Sequence, residues 1–453
     1  MYLLIFHSGV KSAGFPYDDF NLNFLVRTAL LLLVSLVFAG CASVFDAPYV
    51  EIEATPVALS VPDVEIEPEE LTSAVKADVR TYPDIWARIR DGFRLESIDG
   101  DMEVLAVAKR FAASGIIPRI AERAGGLLYH VVDAVEARGL PMELALVPFV
   151  ESGYSLHAAS HAEAHGAWQF IESTAKNYEI GIDRFRDDRR NLVVSTRAAL
   201  DYLQALHGMF DDWQLAMAAY NCGERRVLSE IDRARRRGIE KPGFKDIAAA
   251  LPQETREYVP RILAVRRLLL APDDYGVKLP AIANAPQFTV VEIHRDIDVL
   301  LLARLAGIAQ DELLRLNPSL KAPVVIGRHN VNLLLPPQAA LRLVDNMATH
   351  AGPWVTWRML RITRAATPQE IAERNKLPLN IVLQANPLPE GHYYEVGSTL
   401  LLPAGRHGRI DPVLAQRAVL LTRATSECMV LQSCAGDAAR VVPPATVNGL
   451  PRR

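Results

Sequence analysis

The sequence predicts a mainly α-helical protein that ends in two small units of mixed strand and helix. From Tyr82 to about Leu270, apolar residues recur at helical spacing, and Gly or Pro residues stand at the ends of the runs. The second observation is an internal repeat near the C-terminus, whose two copies are offset by 69 residues between Asn317 and Asn386. At 453 residues, the chain is long enough for about three domains.

Composition excludes several classes of protein. Hydrophobic residues make up 50% of the chain, which predicts a packed core and excludes general disorder. With 49 basic and 53 acidic residues, we expect no nucleic-acid partner. Four cysteines without a CxxC pair predict neither a disulfide scaffold nor a metal site, and no motif indicates a cofactor. Cys428 and Cys434 could form a small-loop disulfide; the alternative is an irregular tail.

The N-terminal segment indicates export. Ten apolar or small residues run from Ala29 to Phe38, which is too short to span a bilayer, and Arg27 precedes them. This pattern is typical of a secretion signal. The ending Ala-Gly-Cys41 resembles the lipobox of bacterial lipoproteins, which implies an acylated Cys41 as the mature N-terminus, and the following Ala42 resembles outer-membrane sorting. The alternative is an ordinary signal peptide.

The segment after Cys41 is predicted to be an extended tether. Between Ala42 and Glu70 there are eight acidic residues, four prolines and no Lys or Arg. Like charges and prolines extend a chain and prevent regular structure. Residues 42–81 are therefore interpreted as a spacer that holds the folded body away from a membrane.

One predicted helix carries an acid into the core. Pro141 suits the first position of a helix that is apolar nearly all round and therefore buried, and Pro148 predicts a kink just before Glu151. Leu144, Val147 and Glu151 share one face, so the helix ends in a buried carboxyl group. Desolvation raises a carboxyl pKa, which suits a general acid. The alternative is a glutamate exposed by fraying of the helix end.

Three blocks of residues follow in a fixed order. The first has Glu151, Ser152, Tyr154, Ala158, Ser160, Gly166, Trp168, Gln169, Phe170 and Thr174; the second has Ala219, Tyr220, Asn221 and Gly223; the third has Tyr258 and Pro260. This pattern resembles lytic transglycosylases of the soluble-lytic-transglycosylase fold, which are related to goose-type lysozyme. Residues upstream of Glu151 add a resemblance to their membrane-bound type D subgroup. The resemblance implies a lysozyme-like helical catalytic domain.

The resemblance also implies the reaction and its residues. The expected activity is cleavage of the β-1,4 bond between N-acetylmuramic acid and N-acetylglucosamine in peptidoglycan, with formation of a 1,6-anhydro ring and Glu151 as the single acid and base. By the resemblance, Ser160 would bond the acetamido group or Glu151, Gln169 would line the groove, and Tyr220 would orient Glu151 or the sugar. Asn221 would hold the loop, and Tyr258 is also expected to bind substrate. Trp168 is interpreted mainly as a packing residue.

Several residues near these blocks have two interpretations. Glu163 stands where the family usually has a glycine, so it is either a second carboxylate near the site or a solvated loop residue. Asp187 and Asp188, beside two arginines, are predicted to form a solvated, ion-paired turn. Cys222 is predicted to be a buried, unreactive thiol.

The repeat predicts two small modules. Ala303 to Pro318 corresponds to Ala372 to Pro387, and each copy is predicted as strand, helix, helix and strand, with Phe288–Ile293 and Trp357–Ile362 as the first strands. This pattern resembles LysM modules, βααβ domains that bind N-acetylglucosamine chains, and the second copy matches better than the degenerate first. The alternative is a structural unit that packs against the catalytic body.

The predicted domain plan has six parts: a lipoprotein signal peptide at 1–41, the tether at 42–81, the catalytic domain at 82–285, a degenerate LysM-like module at 286–340, a LysM module at 354–404 and a tail at 405–453. Expected partners are peptidoglycan strands, a membrane through Cys41, and other cell-wall enzymes, on the periplasmic side of an outer membrane.

Two rival functions remain open at this stage. A goose-lysozyme-like hydrolase would need a second carboxylate to activate water, for which the candidates are Glu163, Glu172, Asp183 and Asp187. A non-catalytic anchor would bind glycan through the LysM modules alone.

Overall fold

The computed structural model describes residues 82–96, 101–405 and 408–424. The predicted lipidation site Cys41, the whole predicted tether at 42–81, and Cys428 and Cys434 lie outside these ranges. Within them, no helix combines the length and apolar character needed to cross a bilayer.

Helices build the chain up to residue 276. In order they are α1 (Ile85–Asp91), α2 (Met102–Ser114), α3 (Ile116–Ala137), α4 (Val147–Glu151), α5 (Glu172–Asn177), α6 (Leu192–Phe210), α7 (Trp213–Cys222), α8 (Glu224–Arg236), α9 (Phe244–Ile247) and α10 (Gln253–Leu270). Short 3-10 turns lie at Met142–Leu146, Asp188–Arg190, Ala248–Ala250 and Asp273–Tyr275. The mainly helical architecture predicted from the sequence is confirmed.

Capping residues explain where the long helices begin and end. The Asn191 side chain caps α6 by accepting hydrogen bonds from the first-turn N–H groups of Val193 and Val194, at 3.1 and 3.3 Å. Asp211 ends α6 in a left-handed conformation, with φ of 52°. The Asp212 side chain then caps α7 by accepting hydrogen bonds from Gln214 N and Leu215 N. The connection between α6 and α7 is therefore only two residues long, and the two helices pack against each other.

The segment that leads to Glu151 differs from its prediction. A 3-10 turn at Met142–Leu146 precedes the short helix α4, so the break lies between Leu146 and Val147. The predicted kink just before Glu151 is therefore wrong in position. Pro148 lies in the first turn of α4, where its missing N–H leaves no helical bond unmade.

The C-terminal part has two similar strand-and-helix units. The first contains β1 (Thr289–Ile293), β2 (Ile297–Asp298), α11 (Val299–Ala306), α12 (Gln310–Leu316), β3 (Val324–Val325) and β4 (Val331–Leu335), followed by α13 (Pro337–Thr349). The second contains β5 (Trp357–Arg361), α14 (Pro368–Asn375), α15 (Leu379–Ala385), β6 (His392–Tyr394) and β7 (Thr399–Pro403), followed by α16 (Pro412–Gln416) and β8 (Thr422–Ala424). Antiparallel pairs β1–β4 and β5–β7 enclose two helices in each unit, as the repeat predicts, while β2–β3 and β6–β8 are additional pairs.

The repeated asparagine has the same structural role in both units. Asn317 Nδ2 donates to the carbonyl groups of Leu313 and Leu334, both at 2.9 Å, and its Oδ1 accepts from Leu334 N at 2.7 Å. Asn386 makes the equivalent bonds, including one from Leu401 N at 2.7 Å. Each buried amide thus ties the second helix of its unit to the last strand. The repeat keeps Asn at this position because its amide satisfies these buried backbone carbonyl and N–H groups without water.

A loop of the helical part contacts both units. Phe185, between α5 and α6, is buried in one apolar cluster with Val324 of the first unit and Leu401 of the second. Beside it, Arg184 Nη2 donates to Asn386 Oδ1 at 2.5 Å. The two units are also joined, because Thr356 donates to Asp298 Oδ2 through its N–H and its hydroxyl, at 2.9 and 2.6 Å. These contacts fix both units against the helical part.

Candidate active site

Glu151 is the last residue of α4 and meets the helix α10. The hydroxyl of Tyr258 donates a hydrogen bond to Glu151 Oε1 at 2.5 Å. Tyr258 is 3% exposed and lies on α10, which packs against α4 and the preceding 3-10 turn. Two of the predicted site residues, which are far apart in the chain, are therefore in direct contact.

The environment of Glu151 sets its protonation near neutrality. Burial raises the pKa of the carboxyl from 4.5 to about 7, although the residue as a whole is only half-buried. The hydrogen bond from Tyr258 acts in the opposite direction, and the negative charge of Glu254 raises the pKa further. The structure thus shields the carboxyl at the end of α4 from water, as the apolar run before Glu151 predicts.

Glu254 is the residue that sequence reasoning missed. It lies exposed in the first turn of α10, four residues before Tyr258, so both side chains lie on the same face of the helix. The signal was available in principle, since the motif helix that supplies the tyrosine also supplies this acid one turn earlier. The sequence alone did not show that this face is directed towards Glu151.

Tyr220 and Asn221 support the site through the backbone and a neighbouring helix. The Tyr220 hydroxyl donates to the carbonyl oxygen of Trp168 at 2.8 Å. Burial and then the charge of Glu151 raise the pKa of Tyr220 well above its usual value. Asn221 Oδ1 accepts from the Thr255 hydroxyl at 2.7 Å, which ties the end of α7 to the start of α10.

The chain after Glu151 is held by its own hydrogen bonds. Ser152 Oγ donates to the carbonyl oxygen of Ala167 at 2.8 Å. Ser160 is exposed, and its hydroxyl accepts from Ala164 N at 3.1 Å within the same turn. Gln169, at φ of 52°, donates from Nε2 to the Gly166 carbonyl oxygen at 2.8 Å. The structure therefore places Ser160 and Gln169 on the loop without a bond to Glu151 among the residues it describes.

Gly166 allows this loop to pack closely. Its φ is 80°, and a Cβ at this position would lie 1.9 Å from the carbonyl oxygen of Arg189. Glu163 is exposed and has a left-handed φ of 56°, a conformation that favours glycine and costs about 1 kcal/mol or more for other residues. Its backbone carbonyl oxygen accepts from Arg189 Nη1 at 2.9 Å.

Trp168 is fully buried and donates to Thr196 Oγ1 at 2.9 Å, which confirms its packing role.

The predicted solvated turn at Asp187 and Asp188 is wrong. Both residues are buried, because the first unit covers the turn: Asp187 N donates to the Ser319 carbonyl oxygen at 2.9 Å. Burial would raise the Asp187 pKa, but two bonds from Arg189 at 2.8 Å outweigh it and the pKa is lowered. Burial raises the Asp188 pKa to about 7 despite its ion pair with Arg186.

Other candidate acids are engaged elsewhere. Glu172 is exposed and pairs with Lys176 at 2.6 Å, and Asp183 accepts from Phe185 N at 2.7 Å.

Cys222 is half-buried, and burial raises the pKa of its thiol. In the three described ranges, no cluster of three or more His, Cys, Asp or Glu residues could hold a metal ion.

Comparison with known proteins shows which family this part of the chain is similar to. Residues 133–242 match the family described as "Transglycosylase SLT domain". The matched residues include Glu151, Ser160, Gln169, Tyr220 and Asn221, whereas Tyr258 lies outside them.

Particular relatives extend this similarity. The chain is 34% identical over 267 residues to "Membrane-bound lytic murein transglycosylase D" of Escherichia coli strain K12, covering 59% of this chain and 58% of that protein. It thus spans under two thirds of the length of this relative. A "Putative tributyltin chloride resistance protein" of Alteromonas is 46% identical over 110 residues, covering 24% of this chain and 53% of that protein. A solved structure of the lytic transglycosylase Slt from Pseudomonas aeruginosa matches 34% of this chain and 25% of that chain, with 21% identity and a TM-score of 0.25.

Proposed function

We propose that the chain is a peptidoglycan lytic transglycosylase. It cleaves the β-1,4 bond between N-acetylmuramic acid and N-acetylglucosamine and leaves a 1,6-anhydro end. The observation that carries this proposal is the Glu151 carboxyl, whose pKa is about 7 and which accepts a hydrogen bond from Tyr258. The SLT domain and the name of the Escherichia coli relative support the same activity.

In the proposed reaction, one carboxyl group acts twice. Protonated Glu151 gives its proton to the glycosidic oxygen as the bond to C1 breaks, and the N-acetyl group of the muramic acid stabilises the developing positive charge. The Glu151 carboxylate then takes the proton of the C6 hydroxyl of the same sugar, whose oxygen bonds to C1. A pKa near the working pH suits both steps, and no water is consumed.

Tyr258 has the position to orient this acid. Its hydroxyl donates to Oε1, which stabilises the carboxylate left after the first proton transfer. Tyr220 holds the backbone at Trp168, and Asn221 fixes α7 to α10, so that they support the groove indirectly. Ser160, exposed on its loop, remains the proposed partner of the acetamido group, and Gln169 of the groove wall.

The rival hydrolase would need a base that activates water. Glu254 is the carboxylate whose charge reaches Glu151, so it replaces Glu163 as the residue on which the hydrolase depends. The rival anchor would need no acid at all. Burial of an ionisable carboxyl group costs free energy at neutral pH, because the charged form is poorly solvated. A catalytic role gives a reason for keeping such a group at this position.

Digestion of purified peptidoglycan separates the enzyme from the anchor. A turbid suspension should clear, with release of soluble muropeptides. Binding to the sacculi without release of fragments would contradict the proposed enzyme and favour the anchor.

We further propose that residues 354–404 form a glycan-binding LysM module and that 286–340 form a degenerate one, both following a catalytic domain at 82–285. In the second unit, a cavity of about 330 Å³ lies between α14, α15 and the chain before β6. Leu379, Leu383 and Leu388 give it an apolar surface, and Thr367 and Gln369 add hydrogen-bonding groups. Sugar rings present both kinds of surface.

Leu383→Asp should weaken binding of the full chain to N-acetylglucosamine oligomers roughly tenfold, because a carboxylate replaces apolar contact surface. The adjacent Gln384 is exposed and does not line the cavity, so Gln384→Asp is the matched control. Isothermal titration with the oligomers measures both. Equal affinities for the two variants would contradict this binding site.

We also propose that removal of residues 1–40 as a signal leaves Cys41 as the lipid-carrying N-terminus, and that residues 42–81 tether the enzyme on the periplasmic side of the outer membrane. The relative's name supports a membrane location. Cys41→Ala should abolish labelling with radioactive palmitate and release a soluble periplasmic form. Palmitate labelling that survives the substitution would disprove the lipid anchor.

A further inference from the structure

A cavity of about 400 Å³ separates the helical part from the first strand-and-helix unit. Helix α3 forms one wall, the loop directly after Glu151 forms another, and α12 with Gln287 and Phe288, just before β1, closes the opposite side. The cavity is distinct from the residues that contact the Glu151 carboxyl. None of the functions derived above uses it.

The side chains around this cavity favour an acidic ligand with small apolar groups. Arg123 of α3 and Arg315 of α12 line it, both are exposed, and Glu312 is the acid among the lining residues. Leu127 and Leu156 contribute apolar surface between them. Two guanidinium groups recognise carboxylates by paired, charge-assisted hydrogen bonds.

A glycine in the middle of α3 keeps the cavity open. Gly126 lines it, although glycine is unfavourable inside a helix. A Cβ at this position would meet Gln287 Cβ at 3.4 Å, an ordinary contact, so packing does not require glycine here. Longer side chains would occupy the cavity. At the neighbouring Gly125, which does not line the cavity, nothing lies within 4 Å of an added Cβ.

The cavity lies within reach of the scissile bond. Arg123 Nη1 donates to the carbonyl oxygen of Gly153 at 3.0 Å, two residues after Glu151. Ser155 also lines the cavity, and four residues of chain span at most about 14 Å. A peptide of about four residues, attached to the sugar being cleaved, has a similar length.

We propose that this cavity binds the peptide stem of the glycan strand, with Arg123 and Arg315 holding its carboxylates. The proposal rests on the proposed function, because peptide stems are carried by the muramic acid of peptidoglycan. Stem peptides combine several carboxylates with the methyl groups of alanine, which matches the lining. The site would make the enzyme prefer strands that carry peptides over bare glycan.

A binding experiment tests the site without catalysis. The probe is a fluorescent alanyl-γ-glutamyl-diaminopimelyl-alanine peptide, titrated by anisotropy into the full chain carrying Glu151→Gln. Adding Arg315→Glu should weaken binding at least tenfold by charge repulsion. Arg304, exposed on α11 and outside the lining, provides the control Arg304→Glu, which should change the affinity less than twofold. No peptide binding by the parent, or equal affinities in both arginine variants, would overturn the proposal.

Two further variants test the space itself. Gly126→Met should block peptide binding by filling the cavity, whereas Gly125→Met should leave it unchanged. In turnover, Arg315→Glu should raise KM about tenfold on peptide-bearing strands and leave KM unchanged on strands stripped by an amidase. Equal changes on both substrates would contradict a peptide site. A wild type that cleaves neither substrate would disprove the proposed function, while the anisotropy result would still decide the peptide site.

Discussion

Replacing Glu151 with Gln should reduce the release of muropeptides by a factor on the order of 10³ to 10⁴, because the group that gives and takes the proton is lost. The amide keeps the shape of the side chain, and its oxygen can still accept the bond from Tyr258. Folding should therefore be retained. Initial rates on purified peptidoglycan, with circular dichroism as the test of folding, measure the effect. Activity within tenfold of the wild type would contradict the single-acid mechanism.

The same substitution should increase stability at alkaline pH. The pKa of Glu151 is raised from 4.5 to about 7 in the folded chain, so the unfolded chain ionises first as pH rises. The free energy of unfolding of the wild type, relative to that of the Gln variant, should decrease as the pH rises from 4.5 to about 7 and should then level off. The total decrease should be at most about 3 kcal/mol. Denaturant titrations at pH 5 and pH 8 measure the difference. Glu163→Gln, at an exposed position, is the control. A Glu151→Gln variant that is no more stable than the wild type at pH 8 would show that burial does not disfavour the charged form of Glu151.

Tyr258→Phe and Glu254→Gln should shift the pH profile in opposite directions. A general acid must be protonated, so activity falls as pH rises through the pKa of Glu151. The Tyr258 bond lowers that pKa, and Tyr258→Phe should move the fall to higher pH while misorientation reduces kcat roughly 10²-fold. The Glu254 charge raises the pKa, so Glu254→Gln should move the fall to lower pH.

Rates measured between pH 4 and pH 9 give both shifts. The control is Tyr178→Phe, which removes the hydroxyl of a tyrosine directly after α5. Shifts in the same direction would contradict the assignment of these two neighbours. A loss of 10³-fold or more in Glu254→Gln at every pH would instead identify Glu254 as a water-activating base.

The acid and its partner were predictable to different degrees. The apolar run before Glu151 predicted its burial, since a helix that is apolar all round has no exposed face. The break before it was misplaced, because Pro148 is tolerated in a first turn and the 3-10 turn depends on tertiary packing. Tyr258 was found as a motif residue, but its contact with Glu151 is long-range and local periodicity does not contain it.

Burial of the charged turn shows a second limit of local reasoning. Asp187 and Asp188 lie beside arginines, a pattern typical of solvated ion pairs, yet the backbone at Ser319 covers them. The repeat, by contrast, predicted equivalent positions correctly at Asn317 and Asn386, because one buried side chain satisfies the same backbone groups in each copy. Docking of Phe185 between the two copies follows only from their packing.

The mass of the cleaved ends tests the central claim most directly. Purified peptidoglycan is digested in water enriched in heavy oxygen, and the muropeptides are weighed before and after treatment with a reductant. If the C6 hydroxyl of the substrate attacks C1, each new muramic acid end is lighter than the hydrolysis product by one water, contains no heavy oxygen and does not react with the reductant. Reducible ends that carry solvent oxygen would contradict the account and make this chain a hydrolase.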